Sequence, residues 1–397
     1  MVELLQTLFS GVVYFGTADG LRSLAMFLIA GVLIYLAIAK DYEPALLLPI
    51  GFGAILANLP PVLSGVAAVI GTDIEPGFLK VLFNFGIANE LFPILIFIAI
   101  GAMIDFTPLL KNPFMIFFGA AAQLGIFITF IAALFLLPLI GVDDADGLRI
   151  RLAAAIGIIG AADGPTTLYV ANLFHLDQYI GPISVAAYSY MSLVPIIQPP
   201  VIRALTTRHE RLIRMDYHED KVSRPVKIIF PIAITIVAGI LVPMSVPLVG
   251  SLMFGNLIRE CGVLERLSKT AQNELSNLVT ILLGLTIGST MLGNDFIQWD
   301  TAAIMLLGLF AFVFDTAGGV LFAKFLNLFL KRKVNPMIGA AGISAFPMSA
   351  RVVQKMATKE DPTNFILMQA ISANVAGQLG SIVAGGLIIM LVTLVIT

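Results

Sequence analysis

Apolar runs of roughly twenty residues recur along the whole chain, and this restricts its fold more than any other feature. A helix needs about 20 such residues to cross the hydrocarbon layer, where backbone polar groups must be satisfied within the protein. Candidate spans fall at 22–39, 44–58, 62–72 with its flanks, 91–104, 114–140, 181–198, 226–243, 275–292, 301–330 and 364–396. Composition agrees. Of 397 residues, 58% are hydrophobic and 12% charged, against about 25% charged in a soluble domain. The expected fold class is an all-α polytopic membrane protein.

Several function classes drop out. A net charge of −2 with no basic surface stripe gives no reason to expect a nucleic-acid partner. The single cysteine, Cys261, excludes a disulfide framework and a multi-cysteine metal site. The N-terminus carries Glu3 and no basic region, so it does not read as a cleaved signal. Val2, Leu4, Leu5, Leu8 and Phe9 fit an interfacial amphipathic helix over 1–20. Neither a Walker loop nor a zinc motif is present, and the three histidines fall in or near loops. Uphill transport by such a chain draws on another gradient or on a partner's reaction. The largest basic cluster, Arg203, Arg208, Arg211, Arg214, Lys221, Arg224 and Lys227, places its loop in the cytoplasm. Topology alone explains it; a docking face for a partner is the alternative.

The chain repeats itself. IGAA occurs at 159–162 and again at 338–341, each time in a segment interrupted by Gly and Pro. AIGAMIDF (99–106) and TIGSTMLG (286–293) close corresponding spans upstream, about 180 to 190 residues apart. The loop before the first broken segment is acidic (Asp143, Asp144, Asp146), and its counterpart is Lys331-Arg332-Lys333. Equivalent loops of opposite charge face opposite sides, which is the mark of inverted repeats with a site where broken helices meet at the membrane midplane. The expected organisation is 21–90 as first membrane segments and 91–200 as repeat 1, with its break at 150–175. A basic loop with linking helices follows over 201–274, then repeat 2 over 275–397 with its break at 335–357. Loop counting favours a first broken segment that dips in and returns.

One carboxylate, Asp163, sits in the first break, directly before Gly164-Pro165. An ionised side chain in hydrocarbon costs roughly 3 kcal/mol by insertion scales, so it persists where it faces protein, water or an ion. Pro165 removes a donor and disfavours helix before it, freeing carbonyls near 159–163. A small hard cation satisfies carbonyls and carboxylate together; a kink with Asp163 protonated is the competing reading. The second break supplies Asn335, Ser344 and Arg351. One carboxylate with neutral oxygens suits a monovalent cation better than Ca²⁺, although Ser344 also fits a helix–helix hydrogen bond. Arg351 cannot deprotonate, so it pairs with a carboxylate, reaches the interface or binds an anion. Tyr188 and Tyr190 follow the first break, and Asn374 and Gln378, on one helical face, follow the second. Asp315 is a second buried acid, suited equally to a cation or proton and to an internal ion pair.

Four blocks carry a family resemblance: GAADGPT (160–166), AYSYMSLVPIIQPP (187–200), NPMIGAAGISAFPMSARV (335–352) and ANVAGQL (373–379). In order and length they resemble the membrane β subunits of biotin-dependent, sodium-translocating decarboxylases acting on oxaloacetate, methylmalonyl-CoA or glutaconyl-CoA. Ala161, Phe346 and Ser349 are small departures from the family's usual residues. The resemblance implies a subunit that decarboxylates carboxybiotin on a carrier domain, consumes a proton and exports Na⁺. It implies Asp163 as central sodium ligand and proton-coupling residue, joined by Asn335, Ser344, Tyr188, Tyr190 and Asn374. Arg351 is implied to meet the carboxybiotin carboxylate, with biotin carried on a partner and not on this chain. Also implied are a carboxyltransferase (α) subunit, a small membrane-anchoring γ or δ subunit, a homotrimer, core and scaffold halves, and a multi-pass location in the inner membrane of a prokaryote. A secondary sodium-coupled transporter with the same repeat is the alternative.

Overall fold

A computed structural model describes residues 10–60, 69–71, 75–142, 145–215 and 221–396. Residues 1–9, most of the expected span at 62–72, and Asp143, Asp144 and His218 lie outside the described residues. Within them the chain is helical throughout, with one isolated bridge between Gly71 and Pro76.

Five described helices are long and apolar enough to cross a membrane: Ala18–Lys40, Pro113–Ile140, Arg224–Leu241, Trp299–Phe329 and Leu367–Ile396. Two bent pairs raise the number to seven. Phe78–Ile87 meets Leu91–Met103 at 62°, and Asp177–Met191 meets Leu193–Leu205 at 66°. This is fewer than the ten spans read from the sequence. Pro44–Ala57 has 14 residues, about 21 Å at 1.5 Å per residue against a layer of about 30 Å. Ser276–Ser289 continues a helical run that starts at Glu265 and passes through a π turn at Ala271–Leu275, whose polar residues interrupt the apolar stretch. They pack on each other instead, and Val246–Glu260, not read as a span, packs likewise on Leu91–Met103. The first long helix begins at Ala18, capped by the Thr17 hydroxyl on the Gly20 amide. That start lies inside the stretch expected to be interfacial.

Two packing groups result. One holds Ala18–Lys40, Pro44–Ala57, Leu91–Met103, Arg224–Leu241, Val246–Glu260 and Ser276–Ser289. The other holds Pro113–Ile140, both broken segments, Ile180–Leu205, Trp299–Phe329 and Leu367–Ile396. Outward faces are apolar: Leu28, Val32, Phe135, Ile229, Ile240, Phe325 and Leu328 are exposed. A contiguous apolar surface of this kind fits lipid, not water.

Both broken segments are hairpins. The first comprises Leu148–Ile159 and Gly164–Leu173. Arg151, near its start, donates to the Phe174 carbonyl at its end (3.2 Å), so its feet stand together. The second comprises Met337–Ala340 and Met348–Glu360. Asn335 before it and Asn364 after it both donate to the carbonyls of Arg211 and Ile213, at 2.9 and 3.4 Å respectively. The feet of the second hairpin thus stand at the end carrying the basic loop. The sequence left open whether the breaks were hairpins or single broken spans; these hydrogen bonds decide for hairpins.

Small residues let the elements approach. Gly319, in the long Trp299–Phe329 helix, lies backbone to backbone against Gly339 of the second hairpin; a Cβ on either would collide with the other's carbonyl oxygen. Gly31, by contrast, faces open space. Gly319→Ala is expected to cost about 1–3 kcal/mol by overpacking and to lower the melting temperature of the detergent-purified protein. Gly31→Ala should leave it unchanged or raise it, through better helix propensity.

Candidate functional site

The chain turns at the first break through Ala162, whose φ of 53° lies in the left-handed region. That costs a residue with a Cβ about 1–2 kcal/mol, and contacts around the turn hold it there. Asp163 then caps Gly164–Leu173, as its residue type and the following Pro favour. Its Oδ1 accepts the Thr166 amide (3.2 Å) and its Oδ2 the Thr166 hydroxyl (2.7 Å). The Thr167 hydroxyl and amide both donate to the Asp163 carbonyl, at 2.8 and 3.0 Å.

The tip of the second hairpin meets this turn. The Ser344 amide and hydroxyl both donate to the Ala161 carbonyl, at 3.1 and 2.8 Å. Of the carbonyls the sequence left free between 159 and 163, those of Ile159, Ala161 and Asp163 therefore accept protein hydrogen bonds. The second hairpin's own tip carbonyls receive side-chain amides from three helices. Gln198 donates to Ala340 (2.8 Å), Gln123 to Gly342 (3.3 Å) and Asn374 to Ile343 (2.7 Å). In each case the amide oxygen (Gln198 Oε1, Gln123 Oε1, Asn374 Oδ1) is buried without a hydrogen-bond partner. A buried orphan acceptor costs about 1–3 kcal/mol, and an oxygen of this kind is chemically suited to a hard cation.

Leu367–Ile396 joins the two tips. Asn374 reaches the second; Gln378 and Ser381, one and two turns later, reach Asp163 Oδ2 at 3.5 and 2.8 Å. Asp163 is 3% exposed. Among the described residues no basic side chain forms an ion pair with it.

The sequence-predicted residues divide. Asp163, Ser344 and Asn374 are drawn to the junction of the hairpins. Tyr188 joins them: its ring lies against Gly164, where a Cβ would strike it. Tyr190 points to another helix and donates to the Met305 carbonyl. Two residues apart on a helix, the tyrosines face different sides. Asn335 is buried at the foot of the second hairpin, with its oxygen on the Met337 amide (3.1 Å). Arg351 stands exposed near the start of Met348–Glu360. It faces Glu43: burial lifts that carboxyl above its ordinary value, the Arg351 guanidinium opposes this, and Asp41 adds to it. Asp315 accepts the Ile126 amide (3.0 Å) and so braces the interruption of Pro113–Ile140 at Gln123; it makes no ion pair among the described residues.

Sequence reasoning passed over Thr166, Ser381, Gln123 and Gln198. Signals for the first two existed, since Thr166 stands at N3 from an Asp cap and Ser381 is seven residues from Asn374 on one face. The basic loop also differs from a free docking face. Arg211 pairs with Glu360 (2.8 Å) and Arg214 with Asp361 (2.6 Å), while Arg208 lies 3.6 Å from Glu360. These arginines clasp the end of the second hairpin.

Comparisons with known proteins place the chain among relatives. Residues 22–392 match the family model described as Na⁺-transporting oxaloacetate decarboxylase β subunit. The chain is 48% identical to the methylmalonyl-CoA decarboxylase subunit β of Propionigenium modestum, over 93% of this chain and 94% of that protein. It is 45% identical to the probable oxaloacetate decarboxylase β chain of Vibrio cholerae, over 92% and 94%. Identity to the glutaconyl-CoA decarboxylase subunit β of Acidaminococcus fermentans is 46%, over 92% of each.

The clasp has a pH signature. The Thr363 hydroxyl and the Arg214 guanidinium hold the Asp361 carboxyl down to about 2. A depressed carboxyl stabilises the fold above its unfolded value of about 3.9, and loses that contribution as pH falls toward its folded value. Asp361→Asn should therefore melt below wild type at neutral pH, with the gap closing between about pH 4 and pH 2 in melting curves.

Proposed function

The chain belongs to the family of Na⁺-transporting oxaloacetate decarboxylase β subunits, and from that premise we propose how its two hairpins couple carboxybiotin decarboxylation to sodium export. It is the membrane subunit of a decarboxylase sodium pump, a multi-pass membrane protein, and not a secondary transporter of similar architecture.

One observation carries the coupling: Asp163 is a buried carboxylate with no cationic partner among the described residues, held where two hairpin tips meet. Its charge calls for a cation or a proton. Na⁺ is the cargo that answers it, with Asp163 Oδ1, Asn374 Oδ1 and the Ser344 hydroxyl as ligands and Tyr188 closing one side. Tyr190 and Asn335, engaged on Met305 and on the basic loop, hold the surrounding elements in place. A loaded site is neutral and can be exposed to either side. Return with a proton on Asp163 costs less than return as a bare anion.

Carboxybiotin on a partner's carrier domain supplies a carboxylate whose loss as CO₂ takes up one proton at the ring nitrogen it leaves. Arg351 fits that carboxylate, because an exposed guanidinium offers paired donors to a carboxylate. The basic end faces the cytoplasm, with the carrier domain approaching there. A carboxyltransferase α subunit, a small γ or δ anchor, a homotrimer and the inner membrane of a prokaryote complete the setting. The two halves act as inverted repeats, with the hairpins entering from opposite sides.

The test is a melting titration of the detergent-purified protein with NaCl, KCl and choline chloride at fixed ionic strength. Wild type should gain stability with Na⁺ alone, by about 2.7 kcal/mol at a hundred times the dissociation constant. Asp163→Asn should show no such gain, and the assembled complex carrying it should lose Na⁺-dependent carboxybiotin turnover. Equal responses of wild type to all three salts would remove Asp163 as a sodium ligand.

A further inference from the structure

The two oxygens of Asp163 are not equivalent. Oδ2 receives the hydroxyls of Thr166 (2.7 Å) and Ser381 (2.8 Å), with the Gln378 amide at 3.5 Å. Oδ1 receives one donor, the Thr166 amide at 3.2 Å. A carboxylate offers about four acceptor positions, two on each oxygen. On Oδ2 both are filled by side-chain donors, and on Oδ1 one is open.

Thr166 and Ser381 come from opposite ends of the sequence. Thr166 sits in the first hairpin, three residues from Asp163, where the capping turn brings its amide and hydroxyl to the carboxylate. Ser381 sits in Leu367–Ile396, seven residues beyond Asn374, and is wholly buried. Its hydroxyl also lies 3.1 Å from the Gln378 carbonyl, one turn back on the same helix. The two acceptors compete for the one hydroxyl proton, and the shorter contact, to the carboxylate, takes it.

We infer that Ser381 is a positioning residue that, with Thr166, occupies Asp163 Oδ2 so that a monovalent cation meets the carboxylate through Oδ1 alone. This rests on the reading of Asp163 as the sodium ligand. One-oxygen coordination leaves the cation loosely held, as a pump that must release its cargo requires. It also suits a small ion, since a two-oxygen bite serves larger cations as well.

Removing the Ser381 hydroxyl frees a position on Oδ2. The carboxylate then turns both oxygens to the cation, which binds more tightly and with less regard to size. A hydroxyl that merely filled space, or one that ligated sodium itself, would give the opposite sign or none. The consequence for turnover is a split: half-saturation at lower Na⁺ together with slower release.

The experiment compares wild type, Ser381→Ala and Ser381→Thr. Each detergent-purified protein is titrated with NaCl and KCl by thermal melting, and each assembled complex is assayed for Na⁺-dependent turnover. For Ser381→Ala the expected half-saturating Na⁺ is about tenfold lower, the scale of one hydrogen bond to a charged group. KCl should now also stabilise it, and kcat should fall. Ser381→Thr, which keeps the hydroxyl, should restore the wild-type Na⁺ dependence and selectivity. Weaker or unchanged Na⁺ binding in Ser381→Ala, with wild type still selective for Na⁺, would overturn the inference and leave the Asp163 reading standing. A wild type that does not distinguish Na⁺ from K⁺ would overturn both.

Discussion

The hydrogen bonds from Ser344 to the Ala161 carbonyl are the joint on which the rest of the structure depends. Each hairpin enters the protein with its helix broken at the tip, and backbone groups there have no helical partner. Inside a membrane protein such groups must be answered by protein, because lipid cannot answer them. The first tip is answered by the second, and the second by Gln123, Gln198 and Asn374 from three surrounding helices. Neither hairpin can be built alone. The buried carboxylate follows from the same arrangement, since Asp163 is the cap that starts the returning helix of the first hairpin. One residue both ends a break and charges the site.

How much of this was legible in the sequence varies by element. The all-helical membrane class follows from the apolar runs, and both breaks follow from Gly and Pro beside polar residues in apolar segments. Span counting from apolar runs alone gave more spans than the long helices number. Pro44–Ala57 is as apolar as its neighbours, but only tertiary packing shows that its 14 residues pair with Ser276–Ser289, the end of a longer helical run. Within the site, Asp163 was legible because an acid in an apolar run has a cost that must be explained. Ser344 was visible as a polar residue, although its partner was not. Gln123 and Gln198 were not legible, because an amide in an apolar helix gives no sign of which distant carbonyl it serves. The basic cluster was legible as charge, but charge alone does not say that Arg211 and Arg214 pair with Glu360 and Asp361.

The two hairpins carry different chemistry. The first hairpin carries the carboxylate, held by Thr166 from its own returning helix. The second carries no acid at its tip; it brings Ser344 as a donor and Arg351 as a charge nearer its open end. An acid at the second tip as well would place two like charges at one junction, which repel in a low dielectric. Assigning the charge to one hairpin and neutral oxygens to the other leaves a site with a single negative charge. That is the balance a monovalent cation neutralises.

Leu367–Ile396 turns this balance into coupling. Over two turns it touches the second tip through Asn374 and the carboxylate of the first through Gln378 and Ser381. Arg351 stands on the return helix of the same hairpin whose tip Asn374 holds. On the proposed roles, a carboxylate arriving at Arg351 acts on a body whose far end is bonded, through one helix, to Asp163. Proteins pass such effects through packed elements with discrete arrangements, not through gradual deformation. On the proposed function, the anion site and the cation site share a hairpin and a helix. A shift of Leu367–Ile396 that breaks the Ser381 hydrogen bond changes what Asp163 Oδ2 is bonded to, and the same helix holds the tip of the hairpin that carries Arg351.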